Sequence, residues 1–204
     1  MAPPTDTDIA PGDDTVVRLL EAMAMSVDER GFKATTVADV VRIARTSRRT
    51  FYEHFSGRDD CFLALLARVN GELIAHITAA VDRSLPWRAQ VRQAIEAWIG
   101  GSLSRPAITL AWILDTPGLG TAARAQQRES MAEFYSLIAD LLDSPTYTSE
   151  HPQPVSRYVS IILVGGLREL LAIHVEDSGD VSDIEDIVDA ATEATIAVLS
   201  ASID

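Results

Sequence analysis

Apolar residues recur at three- and four-residue spacings along nearly the whole chain, and the strict alternation of a half-buried strand is almost absent, so the pattern predicts an all-α protein. A first helix is expected from about Asp14 to Arg30, with Val16, Leu20, Met23, Ala24 and Val27 on one face and Gly31 as its stop. A second runs from Thr36 to Ala44, where Thr36 caps, Asp39 answers it three residues on, and Val37, Val40 and Val41 form the core face. Beyond Arg45 and Thr46, Ser47 caps a third helix that lasts to about Phe55. Ser56 and Asp59 repeat the cap spacing and open a long fourth helix through Phe62, Leu65, Leu66, Val69, Leu73 and Ile77.

Five more helices are expected over about Trp87 to Leu103, Arg105 to Leu114, Gly120 to Asp143, Val155 to Val175 and Ser182 to Ser200, making about nine. The breaks are TPGLG at 116–120, a Pro-rich loop at 144–154 and EDSGD at 176–180. The helix from Val155 is apolar nearly all round, which requires burial on more than one side. With Ile184, Ile187, Val188, Ala191, Thr195 and Val198 of the last helix it is expected to build a four-helix interface between two copies, the alternative being a buried hairpin within one subunit. The pattern divides the chain into a disordered leader over 1–13, a three-helix unit over 14–60 with its helix-turn-helix at about 36–55, and a larger unit over 61–204; the charge, side chains and resemblance below make the first a DNA-binding domain and the second a ligand-binding and dimerisation domain.

Composition narrows the class. With 204 residues, 47% of them hydrophobic, there is material for a real core. No uninterrupted run of about 18 apolar residues or basic-then-apolar leader is seen, so neither a membrane partner nor secretion is expected, and a cytoplasmic protein is. Cys61 stands alone, and its expected role is a small buried hydrophobe rather than a redox sensor. His54, His76, His151 and His174 lack ligand spacing, so no metal and no cofactor is assigned. The net charge of −13 argues at first against nucleic acid, yet from Arg42 to Arg58 the chain carries five arginines against the single acid Glu53.

That local excess falls on two short helices joined by a brief turn, dimensions that place a helix in a major groove. Ser47, Arg48, Arg49, Thr50, Tyr52 and His54 lie on or beside the surface opposite Phe51. Arg48 and Arg49, nearest the helix start, can offer paired donors to guanine, while Thr36, Tyr52, His54 and Arg58 suit phosphates. For arginines on a short helix the alternative is a solvated face; for Tyr52, a cap on the small core.

The string GFKATTVADVVRIARTSRRTFYEHFSGRDDCFLALL, through its TTV opening, TFYEHF helix and GRDD step, closely resembles the DNA-binding domain of TetR-family transcriptional regulators. The resemblance covers roughly the first 75 residues. It implies a nine-helix homodimer that binds a palindromic double-stranded DNA operator as a repressor and releases it when a small molecule occupies the C-terminal domain. Arg45 and Thr46 depart from the glycine and aliphatic residue usual in that turn, and Val41 stands where a small Ala is usual. Because a non-glycine residue at positive φ costs about 1 kcal/mol, the turn is expected to be reshaped, with Arg45 free to add a phosphate contact.

For an effector, Trp98, Trp112, Met131, Phe134, Tyr135 and Tyr158 supply aromatic and soft apolar surface from separate helices, with Asp115, Arg168 and Glu169 as polar neighbours and Ile162 and Gly166 alongside. Such a set suits a mainly apolar cavity for a hydrophobic or aromatic molecule; taken singly, each residue can equally be core. An enzyme is not expected, since no nucleophile, base and orienter set occurs in context. A helical protein-interaction module with incidental arginines is the remaining alternative.

Overall fold

The computed structural model describes residues 11–151, 153–177 and 184–201, and every regular element among them is helical. Ten α-helices follow in order: α1 Pro11–Arg30, α2 Val37–Ile43, α3 Arg48–His54, α4 Arg58–Ala80, α5 Trp87–Leu103, α6 Pro106–Leu110, α7 Thr121–Leu142, α8 Pro145–Thr148, α9 Arg157–Asp177 and α10 Ile184–Ala201. The one helix beyond the expected nine is the four-residue α8. Ser144 caps it, with its Oγ accepting from the Tyr147 N–H, and Pro145 takes the first helical position, where no N–H is needed. Residues 1–10 of the expected leader lie outside the described residues, but Pro11 already opens α1, so the leader does not extend to residue 13.

The chain divides within α4 into two compact units, one up to Leu66 and one from Ala67 onward. In the N-terminal unit Leu19, Met23, Val27, Phe32, Val40, Phe51 and Phe62 are at most 3% exposed and form the core, Phe32 and Phe62 stacking with ring centroids 4.0 Å apart. Buried Ser26 and Thr35 satisfy each other at 3.0 Å, and Thr35 Oγ1 also donates to the Gly31 carbonyl, so no orphan polar group is left there. Gly31, at φ +77°, ends α1 as expected.

In the C-terminal unit α5 packs on α10, and α9 lies against α6, α7 and α10. Ile95, Ile99, Val188 and Ala191 make one core cluster, with Ile184 and Ile187 against it. The apolar stripe of α10 therefore serves its own chain. The stripe was read as an intersubunit surface, and of that set only Val198 is exposed. The spacing alone could not distinguish a partner in the same chain from one in a second copy. At Gly101 a Cβ would stand 2.5 Å from Leu73 Cδ1, the tip of a flexible side chain that would have to turn aside. Gly165 and Gly166 face open space.

Two helices, Arg58–Ala80 and Arg157–Glu176, are long and apolar enough to cross a membrane by length and composition, which counting uninterrupted apolar runs had not shown. Each contributes buried side chains to a helical core, Phe62 and Leu65 from the first and Leu163, Val164 and Leu171 from the second.

Candidate functional site

The basic segment is built by local capping. Thr36 accepts from the Asp39 N–H while the Asp39 carboxylate accepts from the Thr36 N–H at 3.1 Å and its hydroxyl at 2.6 Å, a reciprocal box that starts α2. The Thr36 hydroxyl hydrogen bond, then its N–H, with Arg30 and Arg42 adding positive charge nearby, holds the Asp39 carboxyl below the usual carboxylate range. At the other end the Thr46 N–H reaches the Val41 carbonyl at 3.0 Å and the Arg45 N–H the Arg42 carbonyl at 3.3 Å, which is a Schellman closure with Arg45 at its left-handed position. Arg45 has φ +52° and is the one non-glycine residue at positive φ among the described residues. The turn is thus not reshaped around the missing glycine. It keeps the left-handed geometry and carries the strain.

Ser47 then caps α3, its Oγ accepting from the Thr50 N–H at 3.0 Å and lying 2.9 Å from the Thr50 hydroxyl. Phe51 and Val40 are fully buried and lock α2 and α3 together, and this anchoring leaves Arg48, Arg49, Tyr52 and His54 on the open side. Arg49 makes an exposed ion pair with Glu53 at 3.2 Å, a partner that phosphate or a base edge can displace, since surface pairs of this kind contribute little. Tyr52 is 57% exposed and meets Phe51 edge-on, so it does not cap the core.

Arg58 is placed differently from the expectation of a phosphate contact. Its guanidinium lies 4.4 Å from the Phe32 ring centroid, donates to Asp59 at 2.8 Å and reaches the Thr35 carbonyl at 3.4 Å. These contacts fasten α4 to the segment before α2. The cap before α4 also differs: the Ser56 N–H and hydroxyl both donate to Asp60, at 2.8 and 2.9 Å, and Asp59 serves Arg58. Cys61 is buried, and desolvation with the neighbouring Asp60 pushes its thiol up to about 12, which leaves no reactive thiolate near neutrality.

In the C-terminal unit a cavity of about 100 Å³ lies between α4, α5, α7, α9 and α10. Trp87, Trp98, Trp112, Phe134, Leu163 and Leu167 are among its walls, with Gln90, Arg168 and Thr195 as polar lining. Trp112 belongs to a π-helical turn over Ala111–Asp115, a distortion that often accompanies functional sites, and the Arg168 guanidinium stacks 4.6 Å from its ring centroid. Of the residues expected around an effector, Trp98, Trp112, Phe134 and Arg168 line the cavity. Met131 and Tyr135 pack in the adjoining core, and Asp115 ends the π-turn. Tyr158, Ile162, Gly166 and Glu169 are exposed and do not line it. The reason is register: Ser160, Leu163, Val164, Leu171 and Ala172 form the inner face of α9, and Tyr158, Ile161, Ile162 and Gly165 fall on the opposite one. Trp87 and Gln90 were missed; both follow the Pro86 that opens α5.

Comparison with known proteins agrees with this geometry. Residues 19–65 match the family model of bacterial regulatory proteins, tetR family. The uncharacterised HTH-type transcriptional regulator YhgD of Bacillus subtilis is 29% identical over 79 residues, 39% of this chain and 41% of that protein. The HTH-type transcriptional activator FasR of Mycolicibacterium smegmatis is 28% identical over 88 residues, 43% of this chain and 40% of that protein. The match thus spans about two fifths of the length of these curated relatives. The fold reaches much further. The transcriptional regulator FadR of Bacillus subtilis, solved in complex with stearoyl-CoA, superposes with a TM-score of 0.73 at 14% identity, over 92% of this chain and 99% of that one. Residues 19–65 are thus a helix-turn-helix unit of the TetR-family type, and the solved neighbours share the fold beyond it.

Proposed function

We propose that the protein is a homodimeric, cytoplasmic DNA-binding repressor that grips a palindromic operator through α3 and releases it when an apolar, acyl-type molecule enters the cavity of the C-terminal unit. The observation that carries this reading is the recognition surface of α3. Arg48, Arg49, Thr50, Tyr52 and His54 are presented on a helix whose opposite face is anchored by the fully buried Phe51 and whose start is pinned by Ser47. Arg48 and Arg49 read base edges; Thr36, Arg45, Ser47, Tyr52 and His54 position the helix on the backbone. Thr36 acts through the α2 start, because its hydroxyl is engaged by Asp39.

Two stripes support the second copy. On α9, Tyr158, Ile161, Ile162 and Ile173 are exposed, Tyr158 at 76% and Ile162 at 66%, and α10 exposes Ala194, Ala197 and Val198. Large apolar side chains left open at helical spacing mark an association surface, and a twofold pairing of α9 and α10 would cover them. The acyl-type effector is supported by the almost wholly apolar cavity wall and by the FadR neighbour crystallised with stearoyl-CoA. Effector binding then shifts the population towards a separation of recognition helices that no longer matches successive major grooves.

Selection of bound duplexes from a random pool tests the reading. A palindrome should be enriched whose half-sites lie about one helical turn apart or a multiple of it. Failure to enrich any sequence over the starting pool would refute the proposal.

A further inference from the structure

The polar lining of the cavity is Gln90, Arg168 and Thr195, and the first two each carry a buried polar atom without a partner. Gln90 is 3% exposed. Its Nε2 donates to the Leu85 carbonyl at 2.8 Å and reaches the Arg83 carbonyl and the Thr146 hydroxyl at 3.4 and 3.3 Å, so the amide cannot flip without setting its oxygen against carbonyl oxygens. That leaves Gln90 Oε1 as a fixed acceptor with no donor. At the second place Arg168, half-buried over the Trp112 ring and with the Glu169 charge nearby, keeps its Nε buried with no acceptor. A buried acceptor and a buried N–H left without partners are both costly, and groups of this kind that persist in a folded protein call for a partner.

The two places are separated. Gln90 is held by carbonyls of the segment before α5, whereas Arg168 stacks on Trp112, which packs with Trp98 against one core cluster. Along α5 the step from Gln90 to Trp98 is eight residues, about 12 Å at the rise of an α-helix. Between them the lining is Val91, Ala94, Leu137, Ile138, Leu163 and Leu167.

We propose that the effector is an amphiphilic hydroxy acid, its carboxylate paired with Arg168, its apolar body along the aliphatic wall, and a hydroxyl near the far end donating to Gln90 Oε1. This deepens the acyl-type reading above and rests on it for the regulatory role, though not for binding itself. A carboxylate accepts from the Arg168 Nε–H, which has no acceptor; a hydroxyl supplies the donor that Oε1 lacks. A plain hydrocarbon leaves both atoms unsatisfied. A bulky thioester conjugate places neutral carbonyl oxygen, not charge, at Arg168.

All three tryptophans line the cavity, so intrinsic fluorescence reports occupancy directly and without DNA. Titration of the purified full chain with ω-hydroxydecanoate, decanoate, 1-decanol and decanoyl-CoA should rank the hydroxy acid tightest and the alcohol below decanoate. Arg168→Gln should weaken both acids about ten- to a hundredfold while leaving decanol unchanged, the range expected for a lost charged hydrogen bond. Gln90→Leu should bring ω-hydroxydecanoate down to decanoate. Decanol or decanoyl-CoA binding the wild-type chain as tightly as the hydroxy acid would overturn the proposal, and so would acid affinities indifferent to Arg168→Gln. The wild-type ranking decides even where a variant fails to fold. Because no DNA is present, a chain that binds the acid but no operator would count against the regulatory reading alone.

Discussion

Replacing Arg45 by glycine separates stability from DNA affinity in one substitution. The residue closes α2 at φ +52°, where an L side chain costs about 1–2 kcal/mol because Cβ crowds the following carbonyl. Glycine removes that cost but gains freedom in the unfolded chain, which offsets about 0.4–1 kcal/mol. Arg45 is exposed, so little contact is lost. The net expectation is a gain on the order of 0.5–1 kcal/mol, or about 1–4 °C in Tm for a chain of this size. Thermal unfolding followed by circular dichroism at matched salt would measure it, with Arg45→Val as a control that should fall below wild type, since a β-branched residue tolerates the left-handed region worst. The same Arg45→Gly chain should bind operator more weakly, with a salt slope smaller by about one charge. A Tm for Arg45→Gly at or below wild type, with Arg45→Val no worse, would refute the strain argument.

Three further outcomes follow from the packing. Phe51→Ala should cost about 3–5 kcal/mol, because it empties the centre of a small core, and should abolish operator binding with early proteolysis between α1 and α4. Cys61, with its thiol raised to about 12, should resist alkylation at pH 8 in the folded chain and react on addition of denaturant; rapid native alkylation would contradict its burial. The Glu150 carboxyl is held below the usual carboxylate range by the Trp87 indole N–H first and by Arg88 second. A depressed carboxyl contributes stability that is present above its unfolded pKa and lost as pH falls through the folded one, so Glu150→Gln should flatten part of the acid limb of the stability curve and leave the alkaline limb unchanged.

Local rules carried the helix-turn-helix in the sequence. The Thr36 and Asp39 box, the Ser47 cap, the Gly31 stop and the Val40 and Phe51 core depend on neighbours three or four residues away, and each is found where the periodicity placed it. What depends on contacts across the chain was not legible. Asp59 and Asp60 both fit a cap spacing, and only the folded chain shows Asp60 on Ser56 and Asp59 on Arg58. Arg58 looked free until Phe32 and the Thr35 carbonyl were brought beside it. On α9 the apolar residues run all round, so a helical period cannot choose a face, and Tyr158 and Ile162 were set on the wrong one. Gln90 and Trp87 carried a partial signal in their position just after Pro86, but nothing local says that α5 turns them towards a cavity.

One measurement tests α3 as the DNA reader most directly: the affinity of a chain carrying Arg48→Ala and Arg49→Ala for the duplex selected by the wild-type protein, at two salt concentrations. Both side chains are exposed and neither contributes to the core, so the variant should keep its helical content and its unfolding midpoint. It should lose discrimination between the selected duplex and a scrambled one, since each bidentate guanine contact contributes about 1–3 kcal/mol of specificity, and any remaining binding should be weak and salt-sensitive. A folded double variant that still binds the selected duplex with wild-type affinity and specificity would contradict the assignment of α3 as the element that reads DNA.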